Sequence, residues 1–414
     1  MADNSKIYAE RQKRFEDAVA LRKPDQVPLM PMLDYFPARL AGITMKEATY
    51  NPEAMSKAWL AYHEKYQPDR GDNPFRLRGF GHLLEALDFQ HLKWSGHGLP
   101  DNMPYQFIEL EVMAPEEYDH FIFDMSDFMV RRFWPRVNKS MAAFEKLPPL
   151  NAQISYFWGL FGPTALLDPE IKKAMEALNR AAEAGGKLLA AAREYGGKLK
   201  EMGFPPASGA FTQAPFDTLG DFFRGTKGIM TDLRRRPEKV LAACEKLYPV
   251  MLNAALGAAK VSGCPIVFIP LHKCMDSFMS QAQFEKFYWP HLRELIHDLI
   301  KNDLTPWVLM EGVCNDRLNC FRDVPPGKMV WHIEGSDIRK VKEAFRGVAC
   351  IRGNLPVSVL VTGTPDDVRA ECKKVLDLLK EDGGFIFDTG VNLNDATFEN
   401  VDALFSYVRE HGVY

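Results

Sequence analysis

The sequence predicts an α/β fold, a closed TIM-type (β/α)₈ barrel with a helical insertion, and two observations lead there. From Pro265 to Tyr414 the chain repeats a short apolar run, a polar residue where the run stops, and a helical stretch. The runs are Pro265–Pro270, Pro306–Met310, Lys328–Trp331, Val348–Ile351 and Phe385–Phe387. Strands alternating with helices imply βαβ units and a parallel sheet. The second observation is the set of groups at which these runs stop: His272, Glu311, His332 with Glu334, Asn354 and Asp388. In a closed barrel, polar groups at the carboxyl ends of several strands converge on one mouth, where chemistry takes place.

The earlier elements fit the same plan. Residues 5–22 read as an amphipathic helix with Tyr8, Phe15, Ala18 and Leu21 on one stripe, and Pro24-Asp25 turns the chain into Val27–Leu33, a first buried strand. Asp34, Tyr35 and Phe36 then fall at the mouth. A helix spans Pro52–Tyr66, and a Gly- and Pro-rich loop region runs from Gly71 to Met103. Phe107–Met113 alternates weakly, as a strand or hairpin arm. From about residue 115 to 205 the pattern is helical, and Lys172–Lys200 is dense in strong helix formers. This stretch is a helical elaboration, a lid or a dimer face; no sustained heptad supports a coiled coil. Barrel rhythm returns at Ala207–Phe211, followed by the loop Thr212–Arg224 and a helix over Pro237–Val261. With neither a low-complexity linker nor a solenoid period, residues 1–414 read as a single domain.

Composition narrows the function. A chain of 414 residues with 46% hydrophobic and 26% charged residues is ordinary for a soluble enzyme. A net charge of −4 argues against a general nucleic-acid surface, and Arg234–Arg236 reads as a solvated helix entrance. Seven cysteines without a CxxC pair do not form a disulfide framework. The polar, charged start and the lack of any apolar run near ~18 residues predict a cytoplasmic, reduced protein without membrane spans.

Glu311 and His332 end consecutive strands and are expected to meet at the rim. A carboxylate and an imidazole are ordinary Zn²⁺ ligands, with His272, Cys314, Glu334 or Asp388 available as a third. A metal-free acid–base pair is the competing reading. His272-Lys273-Cys274 has a chelating spacing if extended, yet Cys274 reads more simply as a packed thiol. Cys314 and Cys320, flanking a predicted helix, read the same way. Asn354 either orients a ligand atom or turns a loop. Gly363-Thr364-Pro365-Asp366-Asp367 is a helix start capped by Thr364. Gly383-Gly384 fits no phosphate-loop pattern. Phe284, Phe287, Tyr288 and Trp289 read as core, while the many Phe and Met residues allow an apolar pocket.

Several segments together resemble the uroporphyrinogen decarboxylase superfamily. They are Arg11 and Arg14 leading into Pro24-Asp25-Gln26-Val27-Pro28, then Phe278-Met279-Ser280 with Phe284 and Phe287-Tyr288. Gly353-Asn354-Leu355-Pro356, Gly363-Thr364-Pro365 with Val368, and Glu399-Asn400-Val401 with Ala403 complete the set. The resemblance is closer to the branch of cobalamin-linked methyltransferases. The decarboxylases begin with an Arg-Gln-Ala-Gly-Arg segment that holds substrate carboxylates, whereas this chain has Pro31-Met32-Leu33-Asp34-Tyr35-Phe36. Relatives acting on coenzyme M carry a His-x-Cys-Gly zinc motif and a later Cys. This chain has Glu311-Gly312-Val313-Cys314 and Asp388-Thr389-Gly390 there, similar to O-demethylase components that use carboxylate and imidazole ligands.

The resemblance implies methyl transfer between a small organic substrate, an aromatic methoxyl compound foremost, and the cobalt of a separate corrinoid protein. Zn²⁺ on Glu311 and His332 is the expected cofactor, with His272, Asp388 and Asn354 supporting. No Asp-x-His-x-x-Gly segment is present, so the cobalamin is expected on a partner protein. The alternatives are a decarboxylase using Asp34 or Glu334, and a non-catalytic ligand-binding barrel. A homodimer is compatible with all three.

Overall fold

A computed structural model describes residues 4–76, 78–153 and 159–414. Among them, Leu92–Ser95 (β1), Gly98–Leu99 (β2) and Gln106–Phe107 (β3) form a small sheet ordered β2-β1-β3. Ala210–Phe211 (β4), Ile266–Leu271 (β5), Thr305–Met310 (β6), Val330–Ile333 (β7), Cys350–Arg352 (β8) and Phe385–Ile386 (β9) form a six-stranded sheet in sequence order. Every pairing in the larger sheet is parallel.

Two further segments close the ring. Leu29 bridges Phe387 in parallel and Gly71 bridges Pro206 in parallel, while the Asp69 N–H donates to Leu29 O at 3.0 Å. Eight positions therefore surround one axis, and the predicted (β/α)₈ barrel is the observed fold. The first of these segments is not a continuous strand. Pro28 and Pro31 lack the N–H that a ladder needs, so only isolated bonds form, such as Met30 N–H to Phe387 O at 3.0 Å. The second, Asp69-Arg70-Gly71, is too short and too charged to show a strand pattern. The run Phe107–Met113 contributes only its first residue to a strand.

Strand parity sorts the side chains into two cores. Val308, Met310, Trp331 and Ile333 face the outer helices. Ile266, Phe268, Trp307, Leu309, Val330, Cys350 and Ile386 fill the barrel interior together with Phe15, Ala18 and Val19. The helix Asn4–Val19 thus plugs the amino-terminal end of the barrel. Packing of this kind in alternate layers is how parallel barrels fill their centres.

Between Pro115 and Glu201 the described residues are mainly helical. The helix Pro169–Glu201 buries Ile171, Ala174, Ala177, Ala181, Leu188, Tyr195 and Leu199. Spacings of three, four and seven give it one apolar stripe, and it packs on the helices Pro52–Tyr66 and Gly81–Leu87. Its amino end is secured by Pro169 after Asp168, whose side chain accepts from Glu170 N–H. Among the described residues no helix is long and apolar enough to cross a membrane.

Candidate active site

Register decides which side chains meet. β5 pairs with β6 through Leu271 and Met310, and β6 pairs with β7 through Met310 and Ile333. The next residues, His272 and Glu311, have the parity of the interior and stand in one layer at the mouth, with Glu334 one step beyond Ile333. His332 is instead opposite Leu309, one layer lower, which is about 6–7 Å along the strand.

His272 is held from two sides. Its Nδ1–H donates to Asp221 Oδ2 at 2.5 Å, which turns Nε2 toward Glu311 Oε1 at 3.6 Å. The backbone N–H groups of His272 and Lys273 both donate to Asp217 at 3.0 Å, and the Tyr288 hydroxyl donates to Asp217 at 2.5 Å. Lys273 Nζ also pairs with Asp221. Asp217 and Asp221 stand four apart on successive helical turns, Pro215–Thr218 and the π-helical turn Leu219–Arg224. Gly220 makes the reach of Lys273 possible, since a Cβ there would lie 2.6 Å from Lys273 Cε. Across the mouth, Glu334 Oε2 accepts from Gly312 N–H and fixes the turn after Glu311.

These surroundings shift the titrations in useful directions. Burial works against a charged His272, but the hydrogen bond to Asp221 and the fields of Asp217, Asp221 and Glu311 outweigh it, holding the ring near 9. Burial pushes the Glu311 carboxyl up to about 7; His272 opposes this, while the negative fields of Glu334, Asp217 and Asp221 assist. Burial also raises Asp217, to about 6, with Asp221 reinforcing it. At neutral pH the mouth therefore offers an imidazolium beside a carboxyl that is protonated in a large fraction of molecules. Such displaced pairs mark sites of proton transfer. Deeper in the barrel, beneath the layer of Leu309 and His332, Phe268 and Trp307 lie 4.4 Å apart between ring centres, with Phe211 6.2 Å from Phe268. Phe211 is half exposed.

The expected pairing of Glu311 with His332 is corrected by this geometry. His332 is fully buried; Nε2–H donates to Thr389 O at 2.9 Å and Nδ1 accepts from Trp307 Nε1–H at 3.3 Å. Both nitrogens are used, so the neutral Nε2–H tautomer is fixed. Burial and the charge of Arg352 hold its pKa well below the ordinary value. The Glu311–His332 set therefore does not fit a shared zinc ion, which needs a free imidazole lone pair. Among the described residues no group of three or more His, Cys, Asp or Glu is arranged to hold a metal.

Asp388 also stands apart from the mouth chemistry. It accepts from Arg352 Nε at 2.6 Å, Met32 N–H at 3.0 Å and Thr389 N–H at 2.6 Å, and Arg352 Nη2 donates to Met30 O at 2.6 Å. These bonds tie β8 and β9 to the first segment of the ring. Asn354 is half-buried in the loop after β8. Asp34 lies at the mouth, but Arg78 donates to one oxygen at 2.5 Å and Asn394 to the other at 2.6 Å. Cys274 and Cys314 are buried with their sulfurs 3.2 Å apart, and all seven cysteines are free.

Sequence reading misses Asp217, Asp221, Lys273 as a partner, Tyr288 and Arg78. The two aspartates at helical spacing after β4 are the available signal.

The fold likeness extends to known structures. A methyltransferase from Methanosarcina mazei superimposes with a TM-score of 0.60 over 97% of this chain and 98% of that one, at 17% identity. No curated protein matches the chain. The model of the uroporphyrinogen decarboxylase (URO-D) family matches residues 173–411, more than half of the chain. By that match the chain belongs to the uroporphyrinogen decarboxylase family.

Proposed function

We propose that this protein is a methyltransferase that moves a methyl group between a small organic substrate, best an aromatic methyl ether, and the cobalt of a separate corrinoid protein. The observation that carries the reading is the His272–Glu311 pair at the barrel mouth. A substrate bound at the mouth would present its ether oxygen to this pair. The corrinoid supplies the nucleophile that accepts the methyl group.

The remaining work falls to the chain itself. As the methyl–oxygen bond breaks, its electron pair passes to oxygen, and the Glu311 carboxyl gives that oxygen a proton, so a phenol departs rather than a phenolate. The new Glu311 carboxylate is stabilised by the His272 imidazolium 3.6 Å away. Asp221 keeps His272 oriented and charged, as the buried carboxylate of a triad does. General acid assistance of this kind contributes about 10²–10⁴ in rate. No step passes through zinc, because Glu311 and His332 do not share a site. The lyase alternative loses Asp34, whose oxygens are both engaged. A cytoplasmic location with reduced thiols suits a partner carrying reduced cobalt.

The test mixes the protein with an aryl methyl ether and a reduced corrinoid protein. The cobalt(I) absorption band should disappear with release of the phenol. Carbon dioxide release from a carboxylated substrate without a corrinoid protein would overturn the proposal. Metal analysis of wild type and His332→Ala accompanies it, and the expected zinc content is the same in both.

A further inference from the structure

The amino-terminal end of the barrel holds a cavity of about 310 Å³, far from the mouth, between the plugging helix, the first ring segment and the last helix. Its size is at the lower end for small-ligand sites. Three arginines line it: Arg11, Arg14 and Arg409. They are not equivalent.

Arg14 is matched, by Asp25 at 2.5 Å and by Asp69. The second oxygen of Asp69 accepts from Leu29 N–H at 2.7 Å. The other lining carboxylate, Glu10, turns to Lys6 at 3.8 Å. Arg11 is 6% exposed, yet it donates only to neutral oxygens, Gly203 O at 2.9 Å and Gln67 Oε1 at 2.7 Å. Arg409, at the open rim, likewise reaches only the carbonyls of Tyr66 and Gln67. Each guanidinium has five N–H donors, so most are left for something else.

The electrostatics agree. Burial lowers Arg11 to about 10 and lowers Arg409 as well, with the field of Asp69 opposing in both, whereas in Arg14 the hydrogen bonds to Asp25 and Asp69 overcome burial and raise it. Asp69 acts on Arg11 and Arg409 only through its field, with no direct ion pair, and buried charge is normally paired.

We propose that this cavity binds a small oxyanion, the phosphate or carboxylate head of a metabolite, between Arg11 and Arg409. The apolar side chains of Val27, Leu29 and Val408 receive the rest of the ligand. Because Arg11 grips Gly203 at the end of the helix Pro169–Glu201, occupancy couples the plug to the helical elaboration. The site is separate from the methyl-transfer reading and stands without it.

Calorimetric titration of the full chain with inorganic phosphate and with succinate, against chloride at matched ionic strength, tests the proposal. Saturable binding at about 1 mM or tighter is expected for at least one probe, with a rise in Tm that chloride does not give. Phosphate alone or succinate alone identifies the head group. Arg409→Gln, at the rim, is expected to weaken binding about tenfold or more, the loss of a charge-assisted contact. Arg11→Lys should weaken it too while keeping the charge and the fold. No saturable binding of either probe overturns the proposal, and so does Arg409→Gln binding as tightly as wild type.

Discussion

At the scale of single residues the account rests on the difference between two histidines. His272 is charged, oriented by Asp221 and faces Glu311; His332 is neutral and saturated inside the barrel. Replacing Asp221 by Asn should lower turnover by about 10²-fold or more, because the ring loses both its orientation and its charge. The pH dependence has a definite sign. His272 is raised from 6.5 to about 9 and Glu311 from 4.5 to about 7. A group with a raised folded value stabilises most below its unfolded value, and that contribution is lost as pH rises through the folded one. Stability should therefore decline first between about 4.5 and 7 through Glu311, then between about 6.5 and 9 through His272. Thermal melting across this range checks it: Glu311→Gln should show a smaller first decline, the remainder coming from Asp217 and Asp388, each raised to about 6. Methyl transfer that uses the Glu311 proton should fall above about pH 7 in wild type. Asp388→Ala leaves Arg352 buried without its partner, and should cost about 3–5 kcal/mol in a denaturation experiment.

Much of this residue-scale picture is legible in the chain. The sequence pattern puts His272, Glu311 and Glu334 at strand ends, and they stand in one layer. His332 departs from its expected place because strand β7 runs on through Ile333, so the histidine is within the strand rather than at its end. Two residues of boundary error move a side chain by one barrel layer, which is enough to dissolve an expected ligand pair. Asp221 is hidden for another reason. Its role depends on a helical turn after β4 folding back over β5, a contact that no local periodicity reports.

Among the elements, closeness of backbone explains positions that carry no chemistry. Gly209 precedes β4, and a Cβ there would lie 2.2 Å from Cys264 O. Gly209→Ala forces β4 from β5 and should cost about 2–3 kcal/mol, read from urea unfolding. Thr364 caps the helix Pro365–Leu379 by accepting from Asp367 N–H at 3.3 Å and donating to Asp367 Oδ2 at 2.7 Å. Thr364→Ala should cost about 1 kcal/mol with no effect on turnover. The long strands and helices are readable because apolar runs and caps are local signals. Val27–Leu33 and Asp69–Gly71 are harder, since prolines interrupt one and charges disguise the other. Their place in the ring is set by tertiary bridges.

For the whole molecule, the plug, the closed ring and the mouth divide the labour. The helix Asn4–Val19 fills one end of the barrel, which leaves the carboxyl end, where His272 and Glu311 stand, as the face open to a ligand. The proposed corrinoid partner would approach that mouth. The most direct test is single-turnover methyl transfer, per folded molecule, for His272→Gln and His332→Gln beside wild type. His272→Gln is expected to lose about 100-fold or more in rate per folded molecule, beyond any loss of stability. His332→Gln should lose stability but keep its rate within about threefold, since its ring acts only in packing and buried hydrogen bonds. A His332 variant that is fully folded and inactive, beside an active His272 variant, would contradict the account.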